Sequence, residues 1–508
     1  MNPQTPLPRI SGACDFANLR SFLATANFCE SRIAARLRLP ADEPLDLITL
    51  GKYSLPDGAE TDVLDLLIRV FLLGEYTSKE QLETLIPGPI LESVGSLGLL
   101  NTDPEDTTRF FASVAMYPVG SNFFVSDRWN NPDLTPRQSF PDVVYPALTK
   151  STREFLRFLS MGPCDDFLEV CSGSGIAAIA ASRNARNVWA ADITERSTVF
   201  ARFNVALNEV SNVTVLKGDL FEPCGSLLFD RIAAHPPYMP VLQPAEIYYD
   251  GGTDGESLTR RIVQELPRRL KPGGRLYCRT LGSDRNDSTY EERVRSWLGD
   301  SQKEFDIAFF ISKNLDVTKF AVDTAIRKSA GQAEVSAWLT HFKNLGISEL
   351  LSGILIVQRR TAPRSTFTFR RALSSSATLG ETETALHWQS LFSGAGDGDQ
   401  FFDLCPNSSP SLRFVATHAL KDGEIALTSF KITSDFPFLM DLEAEPWFGR
   451  LIALCDGTRS IRVVHECCRE SAWIDPGTPL REFAKLIVLL GSSGFLQLPA
   501  TKEVEGAE

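Results

Sequence analysis

No C-x-x-C pair occurs among the 10 cysteines, and only Cys467 and Cys468 are adjacent. This scatter argues against a disulfide-dense scaffold and predicts a reduced, cytoplasmic chain. Long apolar runs are missing too. None approaches the roughly 20 residues of a membrane helix. Met1 to Phe16 holds prolines and charges instead of the apolar stretch of a signal peptide. Positive charge is in deficit: 51 Lys and Arg stand against 64 Asp and Glu, a net charge of −13. Bulk nucleic-acid binding is thereby disfavoured, although a local basic patch stays open. No long-period repeat is present. With 508 residues, 43% apolar and 23% charged, the chain reads as an ordinary globular protein too long for one core.

Hydrophobic periodicity divides the chain into three parts. In residues 1–130, helical spacing recurs over Asp15–Leu37, Asp62–Leu73 and Pro87–Leu97, with Gly74 as a stop and Ser78 as a cap. Phe110–Val114 and Asn122–Ser126 are expected to pair through Pro118-Val119-Gly120. Helices followed by a hairpin predict a winged-helix-like domain, which either recognises substrate or only packs on the core. Residues 131–362 alternate β and α patterns after an entry helix at Tyr145–Leu159. Later strands are expected at Gly274–Leu281, Phe305–Ile311 and Leu350–Gln358, and a helix at Glu334–Leu345. That alternation predicts a doubly wound, mostly parallel sheet. Residues 363–508 predict an α+β domain with strands at Leu412–Thr417 and Glu424–Ile432. Helices follow at Trp447–Cys455, Ser460–Cys468 and Pro479–Leu490. Thr361–Gly398, rich in Ser, Thr, Gly and Arg, reads as a linker or loosely packed segment. The basic cluster Arg359, Arg360, Arg364, Arg370 and Arg371 reads as a solvated linker rather than as a site for an acidic partner.

The chemistry concentrates between Phe167 and Tyr238. Phe167-Leu-Glu169-Val is a strand pattern, followed by Cys171-Ser-Gly173-Ser-Gly175 and a helix of small residues. Glycines at 173 and 175 permit close backbone approach to a ligand at the carboxyl end of the sheet. Asp192 ends the next strand about 20 residues on, where an acid can hold ribose hydroxyls. Ile193 follows it. Asp219, before Leu220, ends a third strand, where a carboxylate can accept an adenine amino group. Each acid alone could be a plain strand-end turn residue. Together with the loop they predict an adenosine-type cofactor. Ala178 at the third glycine position leaves NAD open on the loop alone.

The fourth strand exits into His235-Pro236-Pro237-Tyr238. Two prolines fix φ and remove two N–H donors, so the loop can present a rigid carbonyl to a planar NH2 group. Tyr238 can lie against that group's flat face. Alignment of such a nitrogen with a sulfonium methyl is mainly a matter of positioning. The expected cofactor is therefore S-adenosylmethionine (SAM), with Glu169, Cys171, Gly173, Gly175, Asp192, Ile193, Asp219, Leu220 and His235 around it. His235, Pro236 and Tyr238 are the expected acceptor-orienting residues.

These segments resemble the release-factor and ribosomal-protein glutamine N-methyltransferases. The matching residues are Glu169 to Gly175, Asp192, Gly218-Asp219-Leu220-Phe221-Glu222-Pro223, Pro236-Pro237-Tyr238, Asp250 to Gly255 and Leu270 to Gly274. Val144-Tyr145-Pro146 through Phe155 also resembles the entry segment. The likeness covers under half of the chain, and the full arrangement resembles a bacterial branch with an N-terminal winged-helix-like region. It implies a class I methyltransferase with a seven-stranded sheet. One departure stands out: His235 replaces the family's asparagine. An imidazole accepts one hydrogen bond, lacks the amide's shape, and near its unperturbed pKa of about 6.5 can act as a base. Nitrogen methylation of a peptide, protein or small molecule is expected. O-methylation with His235 as base, nucleobase amino methylation, and SAM binding without turnover stay open.

Tyr248-Tyr249-Asp250-Gly-Gly-Thr-Asp254 reads as a lid near the acceptor or a surface glycine turn. Cys455, His465, Cys467 and Cys468 match no common zinc spacing, so no metal is expected. Asp456-Gly-Thr-Arg-Ser460 and Gly494-Phe495-Leu496 resemble small peptide-recognition domains of ribosomally made peptide pathways, which implies a peptide or carrier-bound substrate.

Overall fold

The computed structural model describes residues 6–41, 43–55, 62–128, 140–394 and 400–498. They fall into two compact units, Met1–Leu281 and Gly282–Glu508. No helix among the described residues is long and apolar enough to cross a membrane.

The first unit is built on five parallel strands. Their order is Leu270–Arg285, Phe229–Ala234, Cys164–Val170, Ala185–Asp192 and Val213–Lys217. The strand Leu270–Arg285 runs four residues past the unit's end. Crossovers through helices Ile176–Ala181, Glu195–Leu207 and Ser257–Arg269 give the expected alternation. Caps start these elements: the Thr194 hydroxyl accepts from Ser197 N at 2.9 Å, and Thr149 accepts from Thr152 N at 3.2 Å. The entry helix begins only at Lys150, later than periodicity suggests, because Pro146 precedes it and Thr149 is its cap.

Ahead of the sheet, Ser78 and Gln81 form a reciprocal capping box. Asp62 caps a short α-helix that widens into a π-turn over Ile68–Leu73 and stops at Gly74, φ 79°. The hairpin differs from expectation. Val114–Val119 pairs with Asn122–Asp127, and Pro118 sits inside the ladder opposite Phe123. Arg109–Ala112 pairs instead with Leu100–Thr102 and Thr77–Ser78. One apolar core joins this region to the sheet's helices: Phe16, Leu19 and Leu23 pack with Phe200, Phe203 and Leu207. The rings of Phe16 and Phe203 lie 5.0 Å apart, edge to face.

In the second unit, Phe305–Leu315 pairs antiparallel with Ile347–Arg359 and parallel with Thr368–Ala372. A three-stranded meander, Leu412–Lys421, Glu424–Ser434 and Met440–Glu443, precedes helices Trp447–Leu454, Ile461–Glu470 and Leu480–Ser492. The linker expectation for Thr361–Gly398 fails. Thr368–Ala372 is a strand and Leu379–Gly394 a helix, on which Trp388 is fully buried. The arginine cluster is not a solvated patch either. Arg370 donates to Asp284 and Glu291 at 2.5–2.8 Å. Arg364 pairs with buried Asp306, Arg359 with Glu304, and Arg371 donates to Ser492 O at 2.9 Å. Acids and carbonyls distant in sequence neutralise what locally reads as unpaired charge.

Candidate active site

Parallel strands all point their carboxyl ends the same way, so Glu169, Asp192 and His235, at or just past the ends of three neighbouring strands, share one edge. Glu169 is buried. Its two carboxyl oxygens accept from Ala177 N at 3.2 Å and Ala178 N at 2.8 Å. Burial outweighs these donors and pushes its pKa up to about 8, with Asp192 adding to the rise. Cys171 has φ 55°, a left-handed conformation costly for a side chain. Burial holds its thiol well above the ordinary range, so it stays a thiol.

Gly173 has φ 50°, and a Cβ there would meet nothing within 4 Å, so conformation rather than crowding calls for glycine. Its N–H donates to Asp192 Oδ2 at 2.9 Å. Asp192 Oδ1 accepts from Thr194 N at 3.1 Å. The strand-end acid thus pins the glycine loop while its remaining lone pairs stay available. Gly175, φ 77°, faces Ala201. Ser172 Oγ is buried with no hydrogen-bond partner among the described residues. Ile193, 52% exposed, offers an apolar face beside Asp192. Asp219 accepts from Arg261 at 2.6 Å, and Leu220 adopts φ 50°. An orphaned hydroxyl, an open glycine backbone, an acid with spare lone pairs and an exposed apolar side chain fit an adenosyl amino acid.

The His-Pro-Pro-Tyr loop packs on the entry helix. Ser151 Oγ lies 3.3 Å from His235 Nε2 and 3.0 Å from the Tyr238 hydroxyl. The His235 and Tyr238 rings are parallel within 4° at 5.7 Å, and Phe155 touches the imidazole at 5.3 Å. Arg279 stands over the Tyr238 ring at 5.7 Å and pairs with Glu154 at 3.2 Å. Burial, then the Arg279 charge, lowers the His235 pKa to about 3, so the imidazole is neutral. The glycine segment beyond is packed. Gly251 N donates to Met239 O at 2.9 Å, and a Cβ at 251 would meet the Tyr238 backbone at 2.7 Å. Tyr248 stacks on Tyr145 at 5.1 Å.

Sequence reasoning named His235, Pro236 and Tyr238 but missed Ser151, Glu154 and Arg279. Arg279 carried a signal, a charge inside the apolar strand Leu276-Tyr-Cys-Arg-Thr-Leu281. Ser151 carried none beyond its place in the entry segment.

One strand edge thus brings together the glycine loop, the strand-end acid Asp192 and the Pro-Pro-Tyr exit. Residues 146–291 match the model of the methyltransferase small domain family. Relatives include the ribosomal protein uL3 glutamine methyltransferase of Bradyrhizobium diazoefficiens, 33% identical over 29% of this chain and 51% of that protein. The release factor glutamine methyltransferase of Thermodesulfovibrio yellowstonii is 33% identical over 22% of this chain and 44% of that protein. That of Gloeobacter violaceus is 30% identical over 26% of this chain and 54% of that protein. The chain thus spans about half the length of the curated relatives it matches.

Proposed function

We propose that the protein transfers a methyl group from SAM to a nitrogen of a peptide, protein or small-molecule acceptor. The observation that carries this reading is the shared strand edge, where the Gly173–Asp192 bond and the His235–Ser151–Tyr238 cluster lie on neighbouring parallel strands. Glu169, Cys171, Gly173 and Gly175 would shape the methionine side of the cofactor, Asp192 and Ile193 the ribose and adenine side, and Asp219 and Leu220 the adenine edge. Bound there, SAM supplies an electrophilic methyl. His235, Pro236 and Tyr238 hold the acceptor in line with it, and orientation alone contributes several orders of magnitude in rate. The names of the relatives favour a protein nitrogen as the acceptor.

A base role for His235 on a hydroxyl is the weaker reading, because an imidazole with a pKa of about 3 accepts a proton poorly at neutral pH. Calorimetric titration with SAM and S-adenosylhomocysteine tests the cofactor assignment. Micromolar binding is expected in the wild type; its absence sinks the enzyme reading.

A further inference from the structure

We propose that Arg261 selects the base of the cofactor: its ion pair with Asp219 fixes that carboxylate so that it accepts the 6-amino group of adenine and turns away a 6-oxo purine. This rests on the reading of Asp219 as the acid at the adenine edge.

The two strand-end acids are held differently. Asp192 is fixed by its own neighbourhood, since Oδ2 accepts from Gly173 N and Oδ1 from Thr194 N. At Asp219 only the backbone is tied down in this way. Gly218 N donates to Asp192 O at 3.0 Å, and Asp219 O accepts from Glu222 N at 3.0 Å. Among the described residues the Asp219 carboxylate accepts from no backbone N–H. Left alone, a half-exposed aspartate on such a turn exchanges rotamers in water. Arg261 supplies the missing restraint. From helix Ser257–Arg269, 42 residues on, its Nη2 donates to Asp219 Oδ2 at 2.6 Å. Among the described residues Oδ1 accepts nothing, so its lone pairs are open to a ligand.

Arg261 also belongs to the cofactor cradle by position. The buried Cys171 thiol feels the charges of Asp192, Asp219 and Arg261 together, so the three surround one centre. Arg260, the preceding residue, pairs instead with Asp254 at 2.8 Å. Adjacent arginines on one helix thus serve separate acids.

An ionised carboxylate only accepts hydrogen bonds. Held in one orientation, it finds an N–H on adenine, whereas a 6-oxo purine sets lone pair against lone pair. A site built to bond one polar group discriminates strongly against an analogue without it. Both members of the pair are half-exposed, so it adds little to the stability of the fold. Its effect falls on the choice of ligand. Arg261, which acts through Asp219, is a positioning residue.

Calorimetric titration of the full-length protein with S-adenosylhomocysteine and with S-inosylhomocysteine, its 6-oxo counterpart, tests this. The wild type should bind the adenosyl compound at least roughly tenfold more tightly, the share of one charged hydrogen bond. In Arg261→Ala the adenosyl affinity should fall roughly tenfold while the inosyl affinity stays within about twofold, so that the preference collapses. Arg261→Lys, which keeps the charge, should retain part of the preference. Asp219→Ala should lose the preference as well, and adding Arg261→Ala to it should weaken binding no further. Urea midpoints of the variants should match the wild type. An intact preference in Arg261→Ala, an equal loss for both compounds, or additive losses in the double variant overturns the proposal. Wild-type binding without the preference sinks only this inference. No binding of S-adenosylhomocysteine to the wild type sinks the cofactor reading itself.

Discussion

Glu169 and His235 titrate in opposite senses, and the pH dependence of stability should show both. The Glu169 carboxyl is raised from 4.5 to about 8 in the fold. The folded state therefore holds a proton that the unfolded chain releases, and the group's contribution is full below 4.5 and lost as pH rises through about 8. The His235 imidazole is lowered from 6.5 to about 3. Its contribution is full above 6.5 and lost as pH falls through about 3. Together they favour a stability maximum between 4.5 and 6.5. Urea midpoints measured across pH should lose the alkaline-side decline in Glu169→Gln and the acid-side decline in His235→Asn. Unchanged slopes in both would show that other groups set the profile. Asp192 makes a second residue-level case. Asp192→Ala frees the Gly173 N–H and removes the carboxylate that faces the expected ribose. Loss of a charged hydrogen bond of about 1.5–3 kcal/mol corresponds to roughly ten- to hundredfold weaker SAM binding by calorimetry. Wild-type affinity in this variant would remove Asp192 from the cofactor site.

At the scale of elements, helix Glu195–Leu207 does the work of a missing strand. Asn204 accepts from Val125 N at 2.8 Å and donates to Val125 O at 3.0 Å. Its amide also donates to Ser174 O at 2.9 Å. Asn208 brackets Phe123 in the same way. A side chain thus closes the open edge of hairpin strand Asn122–Asp127 and ties it to the glycine loop. Asn204→Ala leaves buried backbone groups unpaired and should cost about 2–4 kcal/mol in chemical denaturation, with faster exchange at the Val125 amide. A loss under about 0.5 kcal/mol would mean that the edge finds other partners. In the second unit, a Cβ on Gly491 would lie 2.4 Å from the Trp388 ring. Gly491→Ala should therefore destabilise by about 1–3 kcal/mol through overpacking, read from the same denaturation curves, and a stabilised variant would refute this contact.

The sheet of the first unit was legible because buried parallel strands are short apolar runs with acids and glycines at fixed ends. Caps at Ser78 and Gly74 were legible because they act within one turn. The strand and helix inside Thr361–Gly398 were not. Trp388 is buried by Gly491, about a hundred residues downstream, and Arg370 is neutralised by Asp284 and Glu291. Composition in a short window carries neither fact. Ser151 was hidden for the same reason, since its meaning lies in an imidazole on another element.

At the scale of the whole molecule, charge decides between macromolecular acceptors. A net charge of −13 and a sequence pI near 5.1 disfavour bulk binding of a polyanion. Binding to nucleic acid neutralises phosphates with clustered cations, yet the one cluster obvious in the sequence is engaged: Arg359, Arg364 and Arg370 each pair with an acid. A protein or peptide acceptor carries no such penalty. Incubation of the purified protein with methyl-labelled SAM and a cell extract separates the two. Label should enter a fraction that protease releases and ribonuclease or deoxyribonuclease leaves intact, and raising the salt concentration should not abolish it. Transfer into a nuclease-sensitive, protease-resistant fraction would instead place the acceptor among nucleobases, and a basic surface would then have to be found outside the paired arginines.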